Sequence, residues 1–108
     1  MNLAAEKIFE NKIKKELKRR GAWFVKFFAN AYTPAGIPDI LCCIDGRFVA
    51  IEVKGGGSSY GLTELQKYNL EKIAENGGLA LCVYPTGWDE LLTLLDNAKY
   101  EGGFYILK

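Results

Sequence analysis

The chain has 108 residues, of which 49% are hydrophobic and 25% are charged. This length suits one domain with a single core, and the composition is that of an ordinary soluble globular protein. No stretch approaches the roughly 18 consecutive apolar residues of a membrane span, and the polar first twenty residues do not resemble a secretory signal. We therefore predict one domain over residues 1–108, with no membrane partner and a cytoplasmic location.

The sequence contains no histidine and three cysteines. Without histidine, Ser-His-Asp and Cys-His catalysis and histidine-ligated zinc are excluded. Cys42 and Cys43 are adjacent in an apolar run, so the thiols fit reduced core residues better than a disulfide framework. A metal site would have to use oxygen ligands, which suit hard cations such as Mg²⁺ or Mn²⁺.

The net charge of +1 is unevenly distributed along the chain. Residues 1–54 carry ten Lys and Arg against six Asp and Glu, a balance of +4. Residues 55–108 carry four against seven, a balance of −3. The N-terminal half is therefore the better candidate for contact with an anionic partner.

The first predicted element is a helix over residues 3–20, because Phe9, Ile13 and Leu17 recur at helical spacing. Glu10 lies on the same stripe, so its carboxylate needs a partner or a metal unless it reaches solvent at the stripe edge. The remaining surface of the helix carries Lys12, Lys14, Lys15, Lys18 and Arg19. These cations form either a solvated face or a surface that contacts the backbone of a nucleic acid.

Three strands are predicted next. Residues 22–29 form an aromatic strand with Lys26 in its middle. Ile40–Ile44 and Phe48–Lys54 follow, joined by Asp45-Gly46, a dipeptide that favours the type I′ turn of a hairpin. Because Ile40–Ile44 is continuously apolar, we expect that strand to be covered on both faces.

The predicted turn determines the register of the hairpin. Ile44 faces Arg47, and counting outward from this pair brings Asp39 directly opposite Glu52. Opposed residues have Cβ atoms roughly 4.5–5.5 Å apart, and two carboxylates so close repel unless a cation or a proton lies between them. Lys54 shares their face. The hairpin therefore predicts a metal site, and the alternative is a cross-strand cluster of ion pairs at a sheet end.

A second helix is predicted from about Thr63 to Asn76, after a glycine-rich loop. Thr63 and Gln66 fit the capping-box pattern, which by itself accounts for Gln66. The remaining predicted elements are a buried strand over 79–84, an amphipathic helix over 88–99 and a strand over 104–107. The resulting order, α-β-β-β-α-β-α-β, predicts an α/β fold with a mixed sheet flanked by helices.

In this order of elements, the charged residues resemble the signature of the PD-(D/E)xK nucleases. Pro38-Asp39 is followed, after twelve residues, by Glu52-Val53-Lys54. The chain is particularly similar to the VRR-NUC family, small nuclease domains that occur alone in phages and bacteria. Glu10-x-x-Ile13-x-x-x-Leu17 matches the first-helix pattern of that family, and Gln66 matches a position on the later helix. The resemblance covers roughly residues 6–84 and implies a restriction-endonuclease-like core in a bacterial or phage-infected cell.

The resemblance implies a role for each matched residue. Asp39 and Glu52 would bind Mg²⁺ or Mn²⁺ with the backbone carbonyl of Val53, and Glu10 would assist the metal through water. Lys54 would orient or deprotonate the attacking water and stabilise the phosphate in the transition state.

Further residues are implied in positioning and in DNA contact. Gln66 would hold Lys54 or a phosphate in place. The residues expected to contact DNA are Lys14, Lys15, Lys18, Lys26 and Ser58. The segment 30–35 lacks the basic residues that are common there in the family, so its substrate contacts are expected to differ.

Together these features predict a divalent-metal-dependent DNA endonuclease. A homodimer would suit branched DNA such as four-way junctions or flaps, because a junction needs two symmetric incisions, and the aromatic strand Trp23–Phe28 or the first helix offers a surface for a second copy. One alternative is a Holliday-junction resolvase or restriction-type enzyme on the same core. Another is a nucleic-acid-binding subunit that has lost catalysis, although the intact Asp39, Glu52 and Lys54 argue against it.

Overall fold

A computed structural model describes residues 3–55 and 61–108 of the chain. Its elements are α1 (Leu3–Arg19), β1 (Trp23–Lys26), β2 (Ile40–Ile44), β3 (Arg47–Val53), α2 (Glu64–Glu75), β4 (Leu79–Val83), a 3-10 helix (Pro85–Gly87), α3 (Trp88–Asp96) and β5 (Gly103–Leu107). The α/β class and the mixed sheet flanked by helices are confirmed. The order of elements differs from the predicted one by the short 3-10 helix between β4 and α3, which the sequence pattern did not indicate.

The five strands form one sheet in the order β1-β2-β3-β4-β5. The first three strands are antiparallel, whereas β3, β4 and β5 are parallel to one another. This arrangement agrees with an opening meander followed by helical crossovers, because parallel neighbours need a long connection and antiparallel neighbours need only a turn.

The β2–β3 hairpin has the predicted register. Asp45 and Gly46 adopt φ values of 50° and 76°, as a type I′ turn requires. Ile44 pairs with Arg47, and the pairing continues without a bulge to Ile40 and Ile51. One step further along the same register, Asp39 lies level with Glu52.

Strand β1 is shorter than predicted, so the expectation of a strand over 22–29 was wrong. Lys26 ends the strand instead of lying in its middle. The backbone N–H of Phe27 donates one further hydrogen bond, 2.8 Å long, to the carbonyl of Asp39. Pro38, the residue before, lacks an N–H and cannot extend the partner strand, so the ladder stops there.

The two faces of the sheet are covered to different extents. Helices α1 and α3 cover one face, where Ile13, Leu17, Leu91 and Leu95 are buried against the strands. Helix α2 packs over β4 and β5 on the other face and leaves part of β2 open, so Cys43 is exposed. The expectation that β2 is covered on both faces was therefore wrong. Helix α2 lies over β4 and β5, and a single helix on this face does not extend across the sheet to β2.

The helix ends follow local rules. The side-chain oxygen of Thr63 accepts a hydrogen bond from the N–H of Gln66, and the complete capping box is present. Helix α3 ends at Asp96 rather than at residue 99 because Asn97 leaves the helical conformation, with φ −111° and ψ 14°. Its side chain instead donates a hydrogen bond to the carbonyl of Thr93, 2.9 Å away.

The cysteines are unpaired in this fold. Cys42 and Cys82 are buried and Cys43 is exposed, and all three are free thiols. Across the ranges 3–55 and 61–108, no helix has both the length and the apolar character needed to cross a membrane.

Candidate active site

One end of the β2–β3 hairpin gathers the residues predicted for catalysis. Asp39 precedes β2, Glu52 lies in β3 and Lys54 follows it, while Glu10 and Gln66 approach from α1 and α2. A continuous chain of ion pairs, hydrogen bonds and charge interactions joins the five side chains. The fold therefore brings together positions that are up to 56 residues apart in sequence, from 10 to 66.

The centre of the site is the carboxyl pair of Asp39 and Glu52. An Asp39 carboxylate oxygen accepts a hydrogen bond of 2.8 Å from the backbone N–H of Val53, which fixes it beside β3. Glu52 is only 6% exposed. Burial and the nearby charge of Asp39 raise the pKa of Glu52 to about 8, and Lys54, 3.9 Å away, lowers it only in part. Within the pair, Glu52 is the carboxyl group whose surroundings supply too little positive charge.

Gln66 connects this carboxyl pair to Lys54. Its amide nitrogen donates to Glu52 at 3.2 Å, and its amide oxygen accepts from the Lys54 ammonium at 3.3 Å. The same oxygen accepts from the backbone N–H of Thr63 at 3.0 Å. Gln66 thus caps α2 and contacts Glu52 and Lys54 at the same time, so capping accounts for only part of its hydrogen bonds.

Lys54 is held by more than Gln66. Its backbone N–H donates to the carbonyl of Val83 at 2.9 Å, which anchors the residue just beyond the end of β3. Its ammonium also lies 3.3 Å from the carbonyl of Gly61. These contacts keep the positive charge close to Glu52, where an attacking water or a phosphate oxygen would need it.

Glu10 has the opposite electrostatic surroundings. It is 5% exposed, and its carboxylate lies 2.8 Å from Lys26 and 3.1 Å from both Lys7 and Lys14. Burial acts to raise the pKa of Glu10, but hydrogen bonds from Lys26, Lys14 and Lys7 outweigh it and lower the pKa to about 2. The sequence predicted that the buried Glu10 needs a partner, and the structure supplies the ammonium groups of these three lysines.

Lys26 links the two carboxylate groups. Its ammonium lies 2.8 Å from Glu10 and 3.2 Å from Asp39, and its side chain is 19% exposed. The sequence analysis predicted that Lys26 contacts DNA. In the fold, the Lys26 ammonium forms ion pairs within the protein, with Glu10 and Asp39.

Glu6 is a neighbour of the site that the sequence interpretation missed. It lies one helical turn before Glu10 on α1 and is half-buried. Burial and the charges of Asp39 and Glu10 raise the pKa of Glu6, against the opposing charges of Lys54 and Lys26. The four-residue spacing from Glu10 on the same helix face could have indicated it.

A groove of about 630 Å³ runs beside α1. It is lined by Ile8, Asn11, Lys12, Lys14, Lys15, Lys18 and Phe24. Three of these lysines, Lys14, Lys15 and Lys18, were predicted to contact DNA. Lys12 is a fourth lysine of the groove and was not among the predicted contacts. The ion pair from Lys14 to Glu10 joins the groove to the carboxylate site. Ser58, the other predicted contact, lies outside the described residues.

The donors at the hairpin can be compared with the needs of a metal ion. Within the described ranges, no group of three or more His, Cys, Asp or Glu side chains could hold a metal ion. Asp39 and Glu52 supply two carboxylates, and the carbonyl of Val53 would add a third oxygen. Mg²⁺ commonly binds through one or two carboxylates while keeping several waters, so this all-oxygen set fits such a hydrated hard cation.

Comparison with models of known protein families finds no match, and no curated protein or solved structure matches the chain either. A functional interpretation therefore depends on the residues and geometry described above. The central part of that geometry is the carboxyl pair, which Gln66 connects to Lys54.

Proposed function

We propose that this protein is a Mg²⁺- or Mn²⁺-dependent nuclease that hydrolyses phosphodiester bonds in DNA, on a restriction-endonuclease-like core of the VRR-NUC type. The observation that carries the proposal is the pairing of Asp39 with the buried Glu52. Burial and Asp39 raise the pKa of Glu52 to about 8, and Lys54 lies 3.9 Å from its carboxylate. A divalent cation would relieve the repulsion between these carboxyl groups.

In this proposal each residue of the site has one task. Asp39, Glu52 and the carbonyl of Val53 hold the cation, which when bound lowers the pKa of a water and polarises a phosphoryl oxygen. Lys54, steadied by Gln66 and the Gly61 carbonyl, orients the attacking water or stabilises charge on the phosphate. Glu10 keeps the lysines of α1 and β1 close to the site.

The lysine groove beside α1 supports DNA as the substrate. Its four lysines face the same channel, and Lys14 connects that channel to Glu10. Contacts of this kind bind phosphates without regard to sequence and release counterions, so binding should weaken steeply as the salt concentration rises. The same groove also suits the second candidate function, a nucleic-acid-binding subunit without catalysis.

We further propose that the active form is a homodimer suited to four-way junctions. The support is apolar surface on the same face of the sheet as α2, over the strands β1 to β3 that α2 leaves uncovered. Trp23, 67% exposed, lies beside Cys43 on the neighbouring strand, and Phe48 follows in the same row. Phe24 is half-buried against the core and does not belong to this surface. Sedimentation of the wild type and of Trp23→Ser tests the dimer, and a wild-type monomer at all concentrations contradicts it.

Cleavage of labelled linear, flapped and four-way DNA tests the nuclease. Wild type, Asp39→Asn and Lys54→Ala are compared in Mg²⁺, in Mn²⁺ and in a chelator. Asp45→Asn, at an exposed turn position whose φ of 50° asparagine tolerates, is the matched control. We expect cleavage only by the wild type and Asp45→Asn, and only with metal. Equal cleavage by all four proteins would identify a contaminant, and DNA binding without cleavage would favour the non-catalytic subunit.

A further inference from the structure

Lys26 occupies an unusual position between two carboxylates from different elements. Its ammonium contacts Glu10 of α1 at 2.8 Å and Asp39, just before β2, at 3.2 Å. Its side chain is mostly shielded from solvent. An ammonium bridging two carboxylates in such surroundings holds the same kind of position that a small metal cation takes between oxygen ligands.

The two partners of Lys26 depend on it to different degrees. Glu10 has two further ammonium neighbours, Lys7 and Lys14, each at 3.1 Å. Across residues 3–55 and 61–108, by contrast, Lys26 is the only cationic side chain in ion-pair contact with Asp39. If the Lys26 ammonium moved away, Glu10 would remain neutralised, whereas Asp39 would face Glu52 with its hydrogen bond from Val53 alone.

We infer that the Lys26 ammonium is a built-in counter-ion that takes the cation position beside Asp39 and gives it up when a divalent cation binds there. The inference rests on the proposed function, because it uses the same carboxyl pair as the metal site. Lys26 is then a positioning residue that keeps Asp39 in place before the metal arrives and lowers the apparent affinity for it.

Displacement follows from charge and distance. A dication bound to Asp39 would lie within a few ångströms of an ammonium on the same carboxylate, and like charges at that separation repel strongly in a partly buried site. Lys26 can leave Asp39 without losing its other ion pair, because the Glu10 carboxylate remains within reach at 2.8 Å. The movement therefore costs one contact rather than two.

Calorimetric titration of the DNA-free protein with Mn²⁺ tests this inference without any activity measurement. Lys26→Met removes the ammonium and keeps an apolar stem of similar length. Lys7→Met is the matched control, because Lys7 contacts Glu10 at 3.1 Å but makes no ion pair with Asp39 and does not line the lysine groove. We expect Lys26→Met to bind Mn²⁺ roughly fivefold more tightly than the wild type, since one competing ion pair is gone. Lys7→Met should bind as the wild type does.

Lys26→Arg keeps the experiment decisive if Lys26→Met does not fold without metal. A guanidinium holds a carboxylate through two parallel hydrogen bonds and gives it up less readily than an ammonium. Lys26→Arg should therefore bind Mn²⁺ more weakly than the wild type. The inference is overturned if folded Lys26→Met fails to bind Mn²⁺ more tightly than the wild type, or if Lys26→Arg binds it more tightly.

The outcomes separate the inference from the proposed function. Mn²⁺ binding by the wild type, with no tightening in Lys26→Met, removes the counter-ion role and leaves the nuclease proposal standing. Mn²⁺ binding by Lys26→Met alone overturns the inference, because the ammonium of the wild type then keeps the position instead of giving it up to the cation. An absence of Mn²⁺ binding in every variant overturns both.

Discussion

Glu10 and Glu52 are two glutamates of similar exposure with opposite electrostatic surroundings. Their exposed fractions are 5% and 6%. Burial raises the pKa of both, yet the pKa of Glu10 is lowered to about 2 and that of Glu52 is raised to about 8. Glu10 receives hydrogen bonds from three lysines, whereas Glu52 is surrounded by more protein and faces a second carboxylate, Asp39.

The difference shows that burial alone does not identify a metal ligand. Glu10 has its positive charge already, supplied by Lys7, Lys14 and Lys26. Glu52 has one ammonium at 3.9 Å and a carboxylate neighbour, so its surroundings favour an added proton or cation. On this basis we assign the proposed cation to the hairpin, with Glu10 organising the lysines around it.

The largest expected effect separates the two glutamates in DNA cleavage. Glu52→Gln should lower the single-turnover cleavage rate by about a thousandfold, because it removes a charged ligand of the proposed metal. Glu10→Gln should lower it by only about tenfold, through misplaced lysines. Glu75→Gln, at an exposed position on α2, is the control and should cleave normally. Equal losses in Glu10→Gln and Glu52→Gln would contradict the assignment.

The pH dependence of stability should also separate them. The folded pKa of Glu52 lies above its ordinary value of 4.5. Its contribution to stability is therefore complete below about pH 4.5 and is lost as the pH rises through about 8, by at most about 5 kcal/mol in the metal-free protein. Urea denaturation across this range should show that decline in the wild type and a much flatter curve in Glu52→Gln. Parallel curves would show that Glu52 ionises normally.

Glu10 should behave in the reverse direction. Its folded pKa of about 2 lies below 4.5, so its contribution is present above pH 4.5 and is lost as the pH falls towards 2. At pH 7, Glu10→Gln should lower the free energy of unfolding by about 3 kcal/mol, because it leaves three ammonium groups without their shared carboxylate. Denaturant titration measures this, again with Glu75→Gln as the control. A loss below about 0.5 kcal/mol would indicate ion pairs of ordinary surface strength.

The smallest expected effect separates the capping contact of Gln66 from its contacts with Lys54 and Glu52. Thr63→Ala removes the cap alone and should cost about 1 kcal/mol of stability while leaving cleavage nearly unchanged. Gln66→Ala should cost a similar amount and should also slow cleavage about tenfold or more, because Lys54 and Glu52 lose a common partner. Thermal melting and single-turnover cleavage of both variants distinguish the contributions. Identical cleavage by the two variants would restrict Gln66 to capping.

The hairpin could be predicted from the sequence because its determinants are local. Asp45-Gly46 specifies the turn, and the alternation of side chains along a strand then determines which residues share a face. The inward position of Glu10 and its lysine neighbours Lys7 and Lys14 likewise follow from helical spacing.

Other features depend on distant parts of the chain and were not predictable in this way. The end of β1 depends on where Pro38 lets the partner strand begin. The open side of β2 depends on how far α2 reaches across the sheet. The bridge from Lys26 to Glu10 and Asp39 joins β1, α1 and the segment before β2, and no local pattern indicates which ammonium will lie between which carboxylates.

The central claim is that the cation binds at Asp39 and Glu52 rather than at Glu10. Mn²⁺ titration by calorimetry at pH 7, in two buffers of different ionisation enthalpy, tests it most directly. Because the pKa of Glu52 is about 8, its carboxyl group should lose a proton when the metal binds. Wild type and Glu10→Gln should bind Mn²⁺ and release about one proton, whereas Glu52→Gln should not bind. Undiminished binding by Glu52→Gln, or a loss of binding confined to Glu10→Gln, would contradict the claim.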